Sequence, residues 1–212
     1  MQSGGPDYNV PLGRRDGLSF ATREATLKNL PSPQNNTAVL IDALALKNLD
    51  ATDLVALSGG HTIGLAHCSA FIDRLYPTQD PTTPDSTMDE SFAADLKRDV
   101  CPTKESNNTT VEDIRTPDKF DNMYYVNLVH RQGLFTSDQD LYTDSRTKDI
   151  VTRFAVSQDL FFEQFAKSMI KMGQLSVLTG NAGEIRANCS VRNSDNIKLK
   201  TVVEEEEAAA EL

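Results

Sequence analysis

Among the 212 residues, 39% are hydrophobic and 25% are charged, values typical of a globular protein with one domain or two small ones. The formal net charge of −10 argues against a nucleic-acid partner, because binding to phosphates needs a basic surface. No segment approaches the roughly 20 apolar residues that span a bilayer, so we expect no membrane partner. The first residues lack the basic-then-apolar pattern of a signal peptide, and we expect none in this chain.

Hydrophobic periodicity predicts short helices in the first third of the chain. After a loop-rich start with one helix near residues 19–29, apolar side chains predict a helix over 37–47. Asp50 and Asp53 resemble a capping box, which predicts a helix over 51–57 that ends at Ser58-Gly59-Gly60. From there the inward positions recur at helical spacing, which predicts one face of a further helix: His61, Leu65, Cys68, Ile72 and Leu75.

The remainder of the chain is predicted to contain further helices joined by loops. A helix near residues 91–97 interrupts a loop over 77–110, and other helices are predicted over 120–131, 147–156 and 159–172. Gly133 stands where a left-handed C-cap would end the first of these three. Strand patterns are short and few, so the chain is predicted to be mostly α.

Three cysteines form an odd set in this sequence. Four N-glycosylation patterns, which begin at Asn35, Asn107, Asn108 and Asn188, mildly favour a secreted context. In that context two cysteines would pair, and the third would be either free or paired with sequence outside this chain.

His61 follows two glycines on the predicted inward face of its helix. It is either a core histidine with satisfied ring nitrogens or a metal ligand, and the glycines would let a flat cofactor approach the backbone. A zinc hydrolase site with His67 and Cys68 is disfavoured, because six residues along a helix turn His67 about 240° away. A single inward histidine with an open approach fits haem.

Asp113, Thr116 and Asp121 carry side-chain oxygens at intervals of three and five residues, in a proline-containing loop before a predicted helix. Such a set could wrap a hard cation such as Ca²⁺. The alternative is that Thr116 or Asp121 is an ordinary helix N-cap.

The segment 133–142 contains two acids and a glutamine after a predicted helix end, a composition typical of a solvated loop. Within it, Asp138 lies between the apolar residues Phe135 and Leu141. If His61 binds iron, however, its other ring nitrogen needs an acceptor that fixes the tautomer and raises the basicity of the ring. Asp138 is a candidate for that acceptor.

Five motifs, taken together and in order, closely resemble the secreted plant (class III) haem peroxidases: VPLGRRDG, DLVALSGGHTIG, RTPDKFDNMYYVNL, QGLFTSDQDL and GEIRANCSVRN. The resemblance covers the chain up to about Asn193. It implies the carboxyl-terminal, proximal half of the plant haem-peroxidase helical fold, with few short strands, over residues 1–193. An acidic extension over 194–212 is expected to be disordered.

The resemblance implies a haem peroxidase, a donor:hydrogen-peroxide oxidoreductase that uses H2O2 for one-electron oxidation of small phenolic donors. His61 matches the axial ligand of the iron of haem b, and Asp138 matches the aspartate that accepts the imidazole N–H. Pro31 matches a proline near the entrance for aromatic donors. A calcium site and a disulfide are also implied: Thr62, Asp113, Thr116 and Asp121 for calcium, Cys68 and Cys101 for the disulfide.

The same resemblance implies an extracellular or vacuolar protein that is a monomer when full-length. The family's catalytic histidine and arginine lie in an amino-terminal half that has no match in this sequence. We therefore expect an amino-terminally truncated chain with little turnover of its own, in which Cys189 lacks the partner cysteine of that half. The alternatives are a non-catalytic fragment that binds haem or calcium and an incomplete gene model.

Overall fold

The computed structural model describes residues 3–78, 80 and 82–196. The mostly α fold with few short strands is confirmed for this part of the chain. None of its helices is both long and apolar enough to cross a lipid bilayer. Most of the predicted acidic extension lies outside the described residues, so its disorder stays a prediction.

The chain forms two compact units. The first comprises Met1–Asn9 and Pro31–Gly173, and the second comprises Val10–Leu30 and the chain from Gln174. Helix α1 (Arg23–Asn29) belongs to the second unit. The first unit holds the other α-helices: α2 (Thr37–Ala45), α3 (Ala51–Ser58), α4 (Ile72–Leu75), α5 (Glu90–Asp95), α6 (Met123–Val129), α7 (Thr136–Thr143), α8 (Lys148–Val156) and α9 (Gln158–Gly173).

The capping box predicted for α3 is confirmed. The Asp50 carboxylate accepts the backbone N–H of Asp53 at 2.9 Å, and the Asp53 carboxylate accepts the N–H of Asp50 at 3.0 Å. The buried Asp53 carboxylate also accepts a hydrogen bond from Ser168 and forms an ion pair with Lys171, both on α9. The start of the helix that leads to His61 is therefore held both locally and by the packing of α9.

The continuous helix predicted from His61 onwards is wrong. The segment has a 3-10 turn over Gly59–Thr62, then an extended stretch, and only later the short helix α4. Gly64 breaks any helix at this point, because its φ of 149° lies where residues with a side chain are strained. Of the predicted inward positions, Cys68 is buried, whereas Leu65 is 65% exposed.

The extended stretch is strand β1 (Leu65–His67), which pairs in antiparallel fashion with strand β2 (Thr109–Val111). His67 therefore lies on a strand, and the helical geometry that turned it away from the site does not apply. Cys68 forms a disulfide with Cys101, with 5.8 Å between their Cα atoms. A disulfide sulfur is not a thiolate ligand, so the zinc-hydrolase alternative loses its cysteine.

The C-cap predicted for α6 is also wrong. Arg131, not Gly133, takes the left-handed conformation, with a φ of 62°. Gly133 is required for close packing instead, because a Cβ atom there would lie 2.7 Å from Cδ2 of Leu128. The segment that follows forms α7 rather than a solvated loop, and it buries Asp138.

Two buried clusters in the first unit surround the site. One is built largely on α3, α6, α8 and α9 and contains Tyr124, Tyr125 and Phe161. The other surrounds the disulfide and contains Phe135. The His61 ring contacts Tyr124 and Phe135 edge-on, so it lies where the two clusters meet.

The second unit has a different construction. Its two chain segments pair through antiparallel bridges: Arg15 with Leu178, and Asp16 with Glu184. The guanidinium group of Arg186 lies 4.6 Å from the centre of the Phe20 ring, a cation–π arrangement. Cys189 is exposed and has a free thiol.

Candidate functional site

The turn that carries His61 directly follows α3. A Cβ atom at Gly59 would clash with the Tyr125 hydroxyl and would lie 2.5 Å from Cε2 of Phe161. A Cβ atom at Gly60 would meet no described atom within 4 Å. The two glycines therefore differ, since the first permits close packing beneath the turn, whereas the second has open space where a side chain would be.

His61 and Asp138 form the central hydrogen bond of the site. His61 Nδ1 lies 2.8 Å from Oδ1 of Asp138, a carboxylate that is only 3% exposed. The Tyr124 hydroxyl donates to the same oxygen at 2.9 Å, and the Phe135 backbone N–H donates to Oδ2 at 2.9 Å. Because both carboxylate oxygens are held, the orientation of the imidazole ring is fixed from behind.

The site is electrostatically negative around the imidazole ring. Burial alone lowers the pKa of His61, but the Asp138 carboxylate, with a smaller contribution from Glu112, outweighs burial and raises this pKa to about 9. Burial, together with the charge of Asp138, raises the pKa of the Tyr124 hydroxyl well above its ordinary value. Tyr124 therefore stays a hydrogen-bond donor to Asp138.

The opposite edge of the His61 ring is accessible. The side chain is 37% exposed, although Nδ1 points towards a buried carboxylate. Within the described residues, Nε2 has no hydrogen-bond partner. An imidazole with Nδ1 tied to a carboxylate and Nε2 open has the arrangement of a metal-ligating histidine.

The four oxygen-bearing residues predicted for calcium come together next to His61. The Thr62 hydroxyl lies 3.1 Å from Oδ2 of Asp113, and the Thr116 hydroxyl lies 3.3 Å from the same atom. Thr116 also donates to Asp121 at 2.9 Å. Asp121 also accepts the N–H of Met123, but the N-cap of α6 is Asn122 and no helix of the described chain begins directly after Thr116, so the N-cap alternative is wrong.

This cluster carries buried negative charge without a basic partner. Asp113 is fully buried, and among the described residues no lysine or arginine forms an ion pair with it or with Asp121. Asn127 donates to Asp113, while its own buried Oδ1 has no hydrogen-bond partner there. Because an unpaired buried carboxylate is costly, these oxygens fit a cation such as Ca²⁺.

The sequence did not predict three groups that lie around the His61–Asp138 pair and the calcium candidate. The Lys119 carbonyl oxygen lies 3.4 Å from the Thr62 hydroxyl, so it adds an oxygen to the calcium candidate. Asn127 and Tyr124 hold the carboxylates of Asp113 and Asp138. Tyr124 falls within the helix predicted over 120–131, whereas nothing in the sequence marks a backbone carbonyl.

Pro31 lies on the surface of the first unit, in the connection before α2. The same connection reaches α7, because the Ser137 N–H donates to the carbonyl of Pro33 at 2.9 Å. The Thr37 N–H also donates to Asp140 at 2.6 Å. The connection is therefore tied to the residues on either side of Asp138.

Comparison with known proteins assigns the chain to a family. Residues 1–157 match the family profile described as Peroxidase. The chain belongs to the peroxidase family. It is 62% identical over 203 residues to Peroxidase 12 of Arabidopsis thaliana, with 96% of this chain and 54% of that protein covered.

Other plant peroxidases give the same result. Cationic peroxidase SPC4 of Sorghum bicolor is 57% identical, with 91% of this chain and 51% of that protein covered. Peroxidase 49 of Arabidopsis thaliana is 45% identical, with 91% and 58% covered. The resemblance to plant haem peroxidases is therefore confirmed, and the chain spans about half the length of the curated relatives it matches.

Proposed function

We propose that this chain forms the proximal side of a haem peroxidase site, with His61 as the axial ligand of haem b. The observation that carries the proposal is the 2.8 Å contact between His61 Nδ1 and Asp138 in a ring whose other edge is open. Bound haem would supply the redox chemistry by which H2O2 oxidises phenolic donors.

The residues behind His61 would control the ligand. Asp138 holds the proton on Nδ1, so Nε2 is the nitrogen that would give up its proton to bind a metal, and the carboxylate makes the ring a stronger electron donor. Tyr124 and the Phe135 N–H hold the two oxygens of the carboxylate, so it cannot rotate away. The chain's own contribution is thus a fixed, electron-rich imidazole.

We also propose that Thr62, Asp113, Thr116 and Asp121 bind Ca²⁺. Thr62 follows His61 directly in the chain, so a cation held by its oxygens would restrain the turn that carries the ligand. The buried charge of Asp113 and the unpartnered oxygen of Asn127 support this assignment.

The proposed co-substrates are H2O2 and small phenolic donors, with Pro31 near the donor entrance. Pro31 lies in a connection tied to the residues beside Asp138, which supports a place near the site. The disulfide and the glycosylation patterns support an extracellular or vacuolar location.

Reconstitution tests this function. The full chain is mixed with haemin and CaCl2, the Soret band is titrated, and oxidation of guaiacol by H2O2 is followed. We expect a histidine-ligated spectrum that the H61Q variant loses and that the H130Q variant keeps, since His130 bonds its own helix through Val126. Equal haem affinity in the wild type and H61Q would contradict the proposal.

A second candidate is a non-catalytic protein that binds haem or calcium. The buried Asp113 carboxylate and the unpartnered Oδ1 of Asn127 favour it, because these oxygens would hold a cation whether or not bound haem turns over. Haem binding through His61 without guaiacol oxidation would support this candidate, whereas turnover comparable to that of a full-length peroxidase would exclude it.

A further inference from the structure

Arg74 is a buried arginine on α4 whose role the proposed site does not explain. It is 2% exposed, and its guanidinium group makes five hydrogen bonds. The two N–H groups of Nη1 face three successive carbonyl oxygens at 2.6, 2.9 and 3.1 Å, those of Gly133, Leu134 and Phe135, so one N–H is shared between two of them. The buried guanidinium group thus holds the backbone of Gly133–Phe135.

The other side of the guanidinium group is anchored independently. Nε donates to Asp85 at 2.9 Å, and Nη2 donates to the Thr87 hydroxyl at 3.1 Å. Asp85 in turn accepts the N–H and hydroxyl of Thr87, both at 2.8 Å. Asp85 and Thr87 therefore hold the guanidinium group independently of Gly133–Phe135. The position of Arg74 can thus determine the position of the backbone at Gly133–Phe135.

The backbone that Arg74 holds leads directly to the histidine partner. The Phe135 N–H donates to Oδ2 of Asp138, and the centre of the Phe135 ring is 5.3 Å from that of His61, edge-on. A shift of Phe135 would move the carboxylate and the ring contact together. Arg74 itself touches neither His61 nor Asp138, so any effect of Arg74 on them passes through Phe135.

Lysine cannot reproduce this arrangement. The arginine fork is planar and presents five N–H donors in fixed directions, whereas the lysine ammonium is a compact group with three donors. One ammonium cannot serve three carbonyls, a carboxylate and a hydroxyl on opposite sides. An Arg74→Lys change keeps the positive charge but loses the five N–H donors in fixed directions.

We propose that Arg74 is a positioning residue that sets the His61–Asp138 hydrogen bond by fixing the carbonyls of Gly133, Leu134 and Phe135. The proposal rests on the proposed function for its significance, because that hydrogen bond tunes the haem ligand. The geometry itself belongs to the haem-free chain and can be measured there.

The test uses the full chain labelled with 15N-histidine, without haem, and assigns the His61 Nδ1–H resonance with H61Q. In R74K this resonance should move upfield, towards its position in D138N, while far-UV circular dichroism shows that the chain is folded. A merely structural role would lower the urea midpoint and leave the resonance in place, and that result would overturn the proposal.

Arg131 offers a matched control. It is exposed and donates to the carbonyls of Ser86 and Met88, in the same loop as Asp85, without contacting Gly133–Phe135. R131K should leave the His61 resonance unchanged, and an equal shift in both variants would overturn the proposal. If R74K does not fold, D85N retains the guanidinium and weakens its anchor, and an unmoved resonance in D85N overturns the proposal as well.

A haem titration separates this inference from the proposed function. Changes behind a metal-ligating histidine typically weaken binding about 10–100-fold, and we expect the lower end, about tenfold, for R74K. If the wild type binds no haem, the proposed function fails, but the resonance in the haem-free chain still decides the role of Arg74.

Discussion

His61 Nδ1 and Asp138 Oδ1 lie 2.8 Å apart although the two residues are 77 positions apart in the sequence. The first sits on a turn at the end of α3 and the second in the first turn of α7. The contact depends on backbone held elsewhere, since Phe135 binds the second carboxylate oxygen and is itself bound by Arg74. The strength of the candidate haem ligand is therefore set by the packing of distant segments.

Replacement of Asp138 by asparagine should weaken haem binding about 10–100-fold, because the neutral amide no longer raises the basicity of His61. A Soret titration of the reconstituted chain measures the affinity. D140N is the matched control, because Asp140 lies two residues further on the same helix and bonds Thr37 and Thr143 instead. A similar loss in both variants would show that α7, and not the carboxylate, is responsible.

The pKa of His61 predicts a pH dependence of stability in the haem-free chain. The folded pKa of about 9 exceeds the ordinary value of 6.5, so protonated His61 stabilises the folded state fully below pH 6.5. This contribution is lost as the pH rises from 6.5 through about 9. Because the side chain is 37% exposed, solvent screens the interaction and the effect should be small.

Urea unfolding of the wild type and H61Q measures this contribution as a difference in the free energy of unfolding. The difference should be largest near about pH 6 and should shrink by about pH 9.5. In the D138N background the same comparison should vary much less with pH. A difference that grows with rising pH would contradict the assignment.

Local patterns predicted those parts of the fold that local interactions determine. The capping box of Asp50 and Asp53 and most helix positions followed from side chains a few residues apart. The histidine and its aspartate were predicted from the chemistry that a ligating imidazole needs and from a family resemblance. The segment from His61 to Leu75 was predicted wrongly because strand β1 depends on a distant partner, which periodicity cannot report.

In the candidate calcium site, too, some groups could be predicted from the sequence, whereas others depend on the folded chain. Asp113, Thr116 and Asp121 were visible as a spacing, and Thr62 came only from the family resemblance. The Lys119 carbonyl and the amide of Asn127 come from the path of the folded backbone. Arg74 gave no signal either, because nothing in a sequence indicates which carbonyls a buried guanidinium group will reach. Sequence thus predicted charged side chains better than the backbone groups that complete a site.

Calcium should stabilise the chain through Asp113. At a free concentration of about 100 times its Kd, a cation that binds only the folded state adds about 2.7 kcal/mol to the free energy of unfolding. D113N should abolish the rise in Tm on addition of CaCl2, measured by differential scanning fluorimetry with EGTA as the reference. D118N, an exposed carboxylate in the same loop, should keep the rise. Loss of the calcium effect in D118N alone would place the site elsewhere.

The disulfide should contribute substantially to stability. Cys68 and Cys101 are both fully buried and close a loop with a sequence separation of 33, for which chain entropy gives about 3–4 kcal/mol. The double variant C68A/C101A should therefore unfold at a clearly lower urea concentration than the wild type. C189A removes an exposed free thiol and should leave the midpoint unchanged. A reductant that does not shift the wild-type midpoint would argue against this contribution.

The two glycines before His61 should respond differently to the same substitution. G59A forces a methyl group against the Tyr125 hydroxyl and Phe161, and such overpacking typically costs about 1–3 kcal/mol. G60A adds the same methyl group where no described atom lies within 4 Å, so the free energy of unfolding should hardly change. Urea unfolding of the haem-free chain compares the two. A loss of stability in G60A as large as that in G59A would contradict this difference between the two glycines.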